Sequence, residues 1–330
     1  MAEDHRPGAV YWIDHYVVGT NNLETWSQFY TNILGAVPRS DSGRNDRPED
    51  HPRAIFTNVG QRCHLAGFVQ DTPLPPSKGI GGDLPRQSWF IRTEDIDEHL
   101  RRLDRRGVEH TEAVRTSAEG QDGRAIDFED PDGNQVELWA PIRLPGGAMD
   151  GASSAKIGKI CSVVQESRDL QRTADFYTRF CGVEPIFSAD IPKDTLAFAL
   201  EGGGRLVFKQ VDTLSPRTGG HSQWSGLHSA LVIPADEFMQ AYERMWAALP
   251  EEESGASPLD DERLPARTGY HGNPSGRDWL GEFGRGDNFY DWDTNAYHFV
   301  AGIPVNGEWR GYTSRGSRTY IAEHAAMRGK

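Results

Sequence analysis

Hydrophobic and polar positions follow a pattern along the chain that occurs twice. In the first copy an apolar run that begins at Ile13, IDHYVV, precedes a helical pattern that ends at Gly35. The second copy begins 147 residues later at Ile160, with ICSVVQ, and its helical pattern ends at Gly182. Alternating apolar positions predict a strand, and a polar Asn or Asp before an apolar stripe with Gly behind it predicts a helix. Each half of the chain is therefore predicted to begin with one strand and one helix.

A second repeat closes each half. FEDPDGNQVEL around Asp130 matches YDWDTNAYHF around Asp291 at an offset of 161, so that Glu137 falls on His298. Between the two repeats of each half lie a further strand and helix and shorter strands such as CHLAGFV and RLVFKQV. The pattern predicts an α+β chain of four modules, each with one strand, one helix and three strands.

The segment between the halves, PIRLPGGAMDGASSAK, has the Pro, Gly, Ala and Ser content that is typical of an exposed connection. We therefore predict two domains, 1–148 and 149–330, with two modules each. The stretch before the closing hairpin is about twenty residues longer in the second half, which predicts an inserted loop near 250–286. The residues beyond Ile303 are treated as a C-terminal tail.

Charge and composition narrow the range of partners. The formal net charge is −14, with 35 Lys and Arg against 49 Asp and Glu, which argues against nucleic acid because such proteins carry basic patches that neutralise phosphates. No apolar run is long enough to span a bilayer, so we expect no membrane partner and a cytoplasmic location. The three cysteines form no CxxC pair, which fits a reducing compartment.

The strand IDHYVV with the helix WSQFYTNILG behind it, and the closing DPDGNQVEL, resemble the vicinal oxygen chelate superfamily. That superfamily contains glyoxalases, extradiol and hydroquinone ring-cleaving dioxygenases and antibiotic-resistance proteins. The resemblance covers nearly the whole chain as four modules. It implies that the βαβββ modules pair into two cup-shaped mixed-sheet barrels, with metal ligands on the first and last strands of each module. It implies the fold more strongly than the chemistry, because one fold hosts many activities.

The pairing of the modules decides which residues meet. If modules one and two share a cup, the cup holds His15, His64 and Glu137, with Ser88 at a usual ligand position. If modules one and four share a cup, every metal-facing position is a histidine, and the other cup holds Ser88, Glu137, Ser162 and Phe208. We favour the second arrangement because it separates ligands from non-ligands. The resemblance then implies His15, His228 and His298 as metal ligands, with Glu137 as the alternative ligand.

His64 is the remaining histidine of this set, and the resemblance implies that it is the catalytic acid–base residue. Imidazole is suited to this role because it exchanges protons near neutral pH. Histidines without a ligand position, such as His99, are expected at the surface or in loops. Aromatic residues close in sequence to the ligand positions, together with one histidine of the inserted loop, are expected to line the substrate pocket: Trp12, Trp89, Trp224, Tyr290, Tyr297 and His271.

A facial set of imidazoles with open positions suits non-haem Fe(II), with Mn(II), Zn or Ni as alternatives. Because imidazole is neutral, the metal keeps its full charge and favours a substrate bound as an oxyanion. The leading hypothesis is thus a dioxygenase whose partners are dioxygen and a phenolic, catecholic or enolic small molecule. A metal-dependent glyoxalase-like isomerase or lyase and a metal-free binding or drug-sequestering protein are the alternatives. Homo-oligomer formation is left open.

Overall fold

The computed structural model describes residues 6–38, 54–61, 63–69, 85–116, 122–189, 191–214, 228–234, 289–291, 295–305 and 308–310, together with the scattered positions 74, 77, 79, 80, 237, 240, 241, 244 and 293. The predicted inserted loop near 250–286 and the tail residues 311–330 lie outside these residues.

The first half of the chain contains two complete modules of one strand, one helix and three strands. The elements of the first module are β1 (Trp12–Thr20), α1 (Leu23–Leu34), β2 (Val37–Pro38), β3 (Ala54–Val59) and β4 (Cys63–Val69). Those of the second are β5 (Arg86–Phe90), a 3-10 turn (Thr93–Asp95), α2 (Ile96–Arg106), β6 (His110–Thr116), β7 (Asp122–Glu129) and β8 (Gln135–Pro141).

The second half follows the same order among its described residues. The third module consists of β9 (Ile160–Ser167), α3 (Leu170–Cys181), an isolated bridge at Pro185, β10 (Thr195–Ala199) and β11 (Arg205–Gln210). The fourth contains β12 (His228–Pro234), β13 (Phe289–Tyr290), β14 (Ala296–Val305) and β15 (Glu308–Arg310), and its described residues 240, 241 and 244 are helical. The predicted α+β fold built from repeated modules is confirmed.

The helix ends of the two halves use the same local chemistry, as the repeat predicts. Asn22 caps α1 by accepting hydrogen bonds from the backbone N–H groups of Glu24 and Thr25, and Asp169 caps α3 by accepting one from the backbone N–H of Arg172. Gly35 and Gly182 end these helices with φ of 66° and 71°, a left-handed conformation that suits glycine. None of the helices in the described part of the chain is long and apolar enough to cross a membrane.

The strands form two mixed sheets, and each sheet combines strands from both halves of the chain. The eight-stranded sheet has the order β13-β14-β12-β1-β4-β3-β2, with β15 beside β14, and joins modules one and four. The seven-stranded sheet has the order β10-β11-β9-β5-β8-β7-β6 and joins modules two and three. Among the described strands neither sheet closes on itself, so each is an open cup and not a closed barrel. The division into domains 1–148 and 149–330 stays a prediction from the sequence.

Each sheet has a core face and a second face, which we call its cup face. The largest hydrophobic cluster lies on the core faces and includes Tyr16, Trp26, Phe128 and Tyr177 from both sheets and their helices. Smaller clusters cover the cup faces, for example Trp12 with Ala230 and Val232 in the eight-stranded sheet. Because alternate residues of a strand point to opposite faces, the two sets interleave along every strand.

Candidate metal centre

The eight-stranded sheet brings three of the predicted site histidines into one row across its strands. His15 of β1 pairs with His64 of the parallel strand β4 on one side and with Ala230 of the antiparallel strand β12 on the other. Ala230 pairs in turn with His298 of β14. We call this row, with Asn58 of β3 at its end, the histidine row: Asn58, His64, His15, Ala230 and His298. For His298 the structure defines this strand position only.

His228 stands two residues before the row position of its strand. Strand pairing shows that Ala230, and not His228, is the structural counterpart of Ser88 in the other sheet. The shift of two residues keeps His228 on the cup face, since the side-chain period of a strand is two. Its ring centre lies 5.5 Å from that of His15, with an interplanar angle of 73°.

A β-bulge places a carboxylate beside these histidines. Between Ile13 and His15 the chain advances two residues, while the partner strand advances one, from Leu231 to Ala230. Asp14 is the extra residue, and such a bulge re-aims its side chain. One oxygen of Asp14, Oδ2, lies 2.8 Å from Nδ1 of His15 and 3.2 Å from Nδ1 of His64. Asp14, His15 and His64 form a cluster whose ligand atoms all lie within 4.8 Å of one another.

The Asp14 carboxylate lies deeper in the protein than the two imidazoles. Its side chain is 1% exposed, against 12% for His15 and 16% for His64. Burial raises the pKa of Asp14, but the charge of His64 and hydrogen bonds from both histidines outweigh burial and hold the pKa well below its ordinary value. Asp14 is therefore an anion at neutral pH, and it contacts both imidazoles from a more buried position.

The donor set of this cup fits a divalent metal ion. Two imidazoles bound through nitrogen at adjacent positions of one metal, at about 2.1 Å, place their ring centres about 5 Å apart, close to the separation of His15 and His228. The second oxygen of Asp14, Oδ1, is buried without a hydrogen-bond partner among the described residues, so the anion retains capacity to stabilise a nearby cation. Imidazole nitrogens with carboxylate support suit iron, zinc, manganese and nickel.

The seven-stranded sheet carries a corresponding row with different chemistry. Ser88 of β5 pairs with Glu137 of β8 and with Ser162 of β9, and the row continues to Asp127 and Arg205. The Ser88 hydroxyl donates a 2.6 Å hydrogen bond to Glu137 Oε1. Glu137 therefore lies in a different sheet from His15, and the structure does not bring the alternative ligand into the histidine cup. The bulge is repeated in this sheet, where Cys161 is the extra residue between Ile160 and Ser162.

The residues predicted to line the substrate pocket are placed differently. Trp12 lies on the cup face and packs against Ala230 and Val232. Trp89 and Tyr297 lie instead in the hydrophobic core, where Trp89 Nε1 donates to Gln87 and the Tyr297 ring packs against another tyrosine. This corrects the expectation for both, and the physical reason is strand alternation, which turns the neighbours of cup residues toward the core. For Tyr290 the structure defines only pairing with β14, and Trp224 and His271 lie outside the described residues.

Two groups of residues near the site were not predicted from the sequence. Phe68 lies four residues after His64 on the same face of β4, and its ring centre is 6.4 Å from that of His228. Phe56 of the adjacent strand packs edge-on against Phe68. Alternation along CHLAGFV could have indicated Phe68. Asp14 could have been noticed only as a charged residue inside an apolar strand. Alternation by itself places its side chain on the opposite face from His15, so the sequence pattern did not indicate that the two residues meet.

Comparison with known proteins agrees with this architecture. Residues 12–138 match the model of the Glyoxalase/Bleomycin resistance protein/Dioxygenase superfamily. None of the curated proteins matches the chain.

Two solved structures share the fold over most of the chain. A protein of Bacillus subtilis subsp. subtilis str. 168, described as a "putative dioxygenase", is 16% identical, with a TM-score of 0.61 and coverage of 96% of each chain. Glyoxalase I from Zea mays is 15% identical, with a TM-score of 0.53 and coverage of 88% of this chain and 92% of that chain. Residues 12–138 thus match this superfamily model, and the chain as a whole has the fold of these two structures.

Proposed function

We propose that the chain is a non-haem Fe(II)-dependent dioxygenase that acts on a phenolic, catecholic or enolic small molecule in the cup of the eight-stranded sheet. The main support for the proposal is that the histidines lie in one cup, whereas the serine and glutamate at the matching positions lie in the other. His15, His64 and His228 share the cup face of one sheet, while Ser88 and Glu137 satisfy each other in the other sheet. Only the first cup offers several imidazoles to one ion among the described residues.

His15 and His228 are the proposed ligand pair, with His298 of the histidine row as the third ligand. Iron bound there would supply open positions for substrate and dioxygen together. A ligand set of neutral imidazoles leaves the charge of the ion available to a substrate oxyanion. This is the basis for expecting an ionisable oxygen on the substrate.

His64 is the proposed acid–base residue. It lies on β4 beside His15, with the two ring centres 6.4 Å apart. This separation exceeds the value of about 5 Å that suits two adjacent ligands in a facial set, and so favours a role in proton transfer for His64. An imidazole at that place can accept a proton from a substrate hydroxyl and return it.

The walls of the cup fit a flat apolar substrate. Trp12 and Phe68 lie on the cup face to either side of the histidines, and Phe68 contacts His228 edge-on. Aromatic rings offer large apolar contact area with defined geometry. Similarity in fold to the Bacillus subtilis protein over 96% of both chains agrees with a dioxygenase, while similarity to glyoxalase I keeps an isomerase as the second candidate.

Metal content and oxygen uptake test the proposal together. Protein purified without oxygen should contain about one iron per chain, or should bind one on addition of Fe(II), since the cup holds one set of ligands. His15→Ala and His228→Ala should each lose most of the metal. Glu137→Gln is the matched control and should retain it, because Glu137 lies in the other sheet. Oxygen uptake should follow addition of a catechol, a hydroquinone or a β-diketone.

The outcomes separate the candidate functions. Metal binding without oxygen uptake on any of these compounds would contradict the dioxygenase and favour a glyoxalase-like isomerase or lyase. Loss of metal in Glu137→Gln with retention in His228→Ala would contradict the proposed ligands. Absence of metal binding in the wild-type protein would favour a metal-free binding protein.

A further inference from the structure

We propose that Asp14 is a positioning residue that fixes the proton of both His15 and His64 on Nδ1 and so directs Nε2 of both rings into the cup. The inference rests on the proposed function, in which His15 holds a metal ion and His64 transfers a proton. It assigns a role to a residue that is neither a proposed ligand nor a proposed acid–base group.

The geometry of the bulge supports this role. Asp14 Oδ2 is within hydrogen-bonding distance of Nδ1 of both rings, at 2.8 Å and 3.2 Å. A carboxylate oxygen can only accept a hydrogen bond, so each Nδ1 must donate. A neutral imidazole with its proton on Nδ1 has its lone pair on Nε2, the opposite edge of the ring. The two histidines thus turn the same nitrogen away from Asp14.

The exposure of the three side chains favours a supporting position over direct ligation. Asp14 is nearly fully buried, whereas both imidazoles are partly exposed, so the carboxylate is further from solvent than the two rings that it contacts. Histidines that bind metals commonly donate their second N–H to a carboxylate, which orients the ring and raises its basicity. One carboxylate that serves two histidines would couple the orientation of His15 to that of His64.

The second copy of the bulge provides an internal comparison. In the seven-stranded sheet the same backbone irregularity places Cys161 where the first copy has Asp14, and the neighbouring row residues are Ser162 and Arg205. The backbone feature therefore occurs without a carboxylate where the imidazoles are absent. The carboxylate accompanies the histidines and is not required for the bulge to form.

The protonated nitrogen of each ring can be observed directly. In apoprotein with ¹⁵N-labelled histidine, long-range ¹H–¹⁵N correlations at pH 8 distinguish a proton on Nδ1 from one on Nε2, and His15→Gln and His64→Gln assign the two sets of signals. Both rings should carry the proton on Nδ1 in the wild-type protein. A proton on Nε2 in either ring would overturn the proposal. This measurement needs no Asp14 variant, so it decides even if such a variant does not fold.

Metal affinity supplies the second measurement, with Zn²⁺ as the probe. Asp14→Asn keeps the shape but replaces the carboxylate by a neutral amide, whose oxygen is a weaker acceptor at the Oδ2 position that both Nδ1 atoms share, so the hydrogen bonds to both histidines weaken. The dissociation constant for Zn²⁺ should rise by about 10- to 100-fold, whereas His15→Ala should abolish binding. Asp127→Asn removes a buried carboxylate from the other sheet and should leave the affinity unchanged.

Two results would contradict the role of Asp14. Unchanged Zn²⁺ affinity in Asp14→Asn would show that it does not position His15, and a loss as complete as in His15→Ala would make it a ligand. Failure of the wild-type protein to bind any divalent metal would contradict the proposed function instead, while the protonation measurement would still report on Asp14.

Discussion

His99 makes the protein sensitive to mild acid, and replacing it should remove that sensitivity. His99 lies on the buried face of α2 between Ile96 and Leu103, is 1% exposed, and has no hydrogen-bond partner on either ring nitrogen among the described residues. Burial, with a smaller contribution from the charge of Arg102, lowers its pKa from 6.5 to about 4. The folded state therefore holds His99 neutral at a pH where the unfolded chain is protonated.

The change in the unfolding free energy with pH follows from the linkage between proton binding and unfolding. Because the unfolded state binds more protons below pH 6.5, stability falls as the pH is lowered from 6.5 toward 4. With these two pKa values the loss between pH 7.5 and pH 5 is about 2 kcal/mol. His99→Leu and His99→Gln should both lack this loss, and His99→Leu should be the more stable of the two at pH 7.5 because it buries no polar atom.

Urea unfolding of the three proteins at both pH values measures the effect. The difference in unfolding free energy between pH 7.5 and pH 5 should be larger in the wild-type protein than in either variant by about 2 kcal/mol. The same pH dependence in all three would refute the reasoning, since it would mean that His99 is protonated equally in the folded and unfolded states.

Two further substitutions test the packing that supports the cups. A Cβ at Gly67 would lie 2.6 Å from Cδ2 of the buried Trp26 indole, so Gly67→Ala should lower the unfolding free energy by about 1–3 kcal/mol; Gly146→Ala, with no heavy atom within 4 Å of its Cβ, is the control and should be close to neutral. The Tyr30 hydroxyl donates to the buried Asp130 carboxylate at 3.0 Å, so Tyr30→Phe should cost about 1–3 kcal/mol in urea unfolding, and an unchanged midpoint would contradict this.

The repeated modules were predictable because they depend on local chemistry. The alternating strands, the caps at Asn22 and Asp169 and the glycines that end the helices are short-range features, and the structure has them where the sequence places them. His15 and His64 could also be identified, since each stands on a strand whose position follows from the repeat. Both arrangements that the sequence left open place them in one cup, and only the identity of the residues that join them, Glu137 or His228 and His298, was undecided.

The expectation that His99 lies at the surface or in a loop is wrong, since it is buried in α2. Its spacing from Ile96 and Leu103 is that of a helical apolar face, but histidine is polar and suggested the surface. Trp89 and Tyr297 were expected in the pocket but lie in the core. Residues next to a ligand position on a strand lie on the opposite face as often as on the same one, so nearness in sequence does not place a side chain in the pocket.

The sequence by itself therefore determined the modules, their helices and strands, and the histidines that they carry. Only the tertiary structure decided that β1 pairs with β12 and β5 with β9, which separates the histidine row from Glu137. It also decided that Asp14 is a bulged residue and that Ala230, two positions from His228, completes the row. The physical reason is that pairing between modules and the register of a bulge depend on contacts between strands far apart in the chain, and alternation within one strand carries no information about its partner.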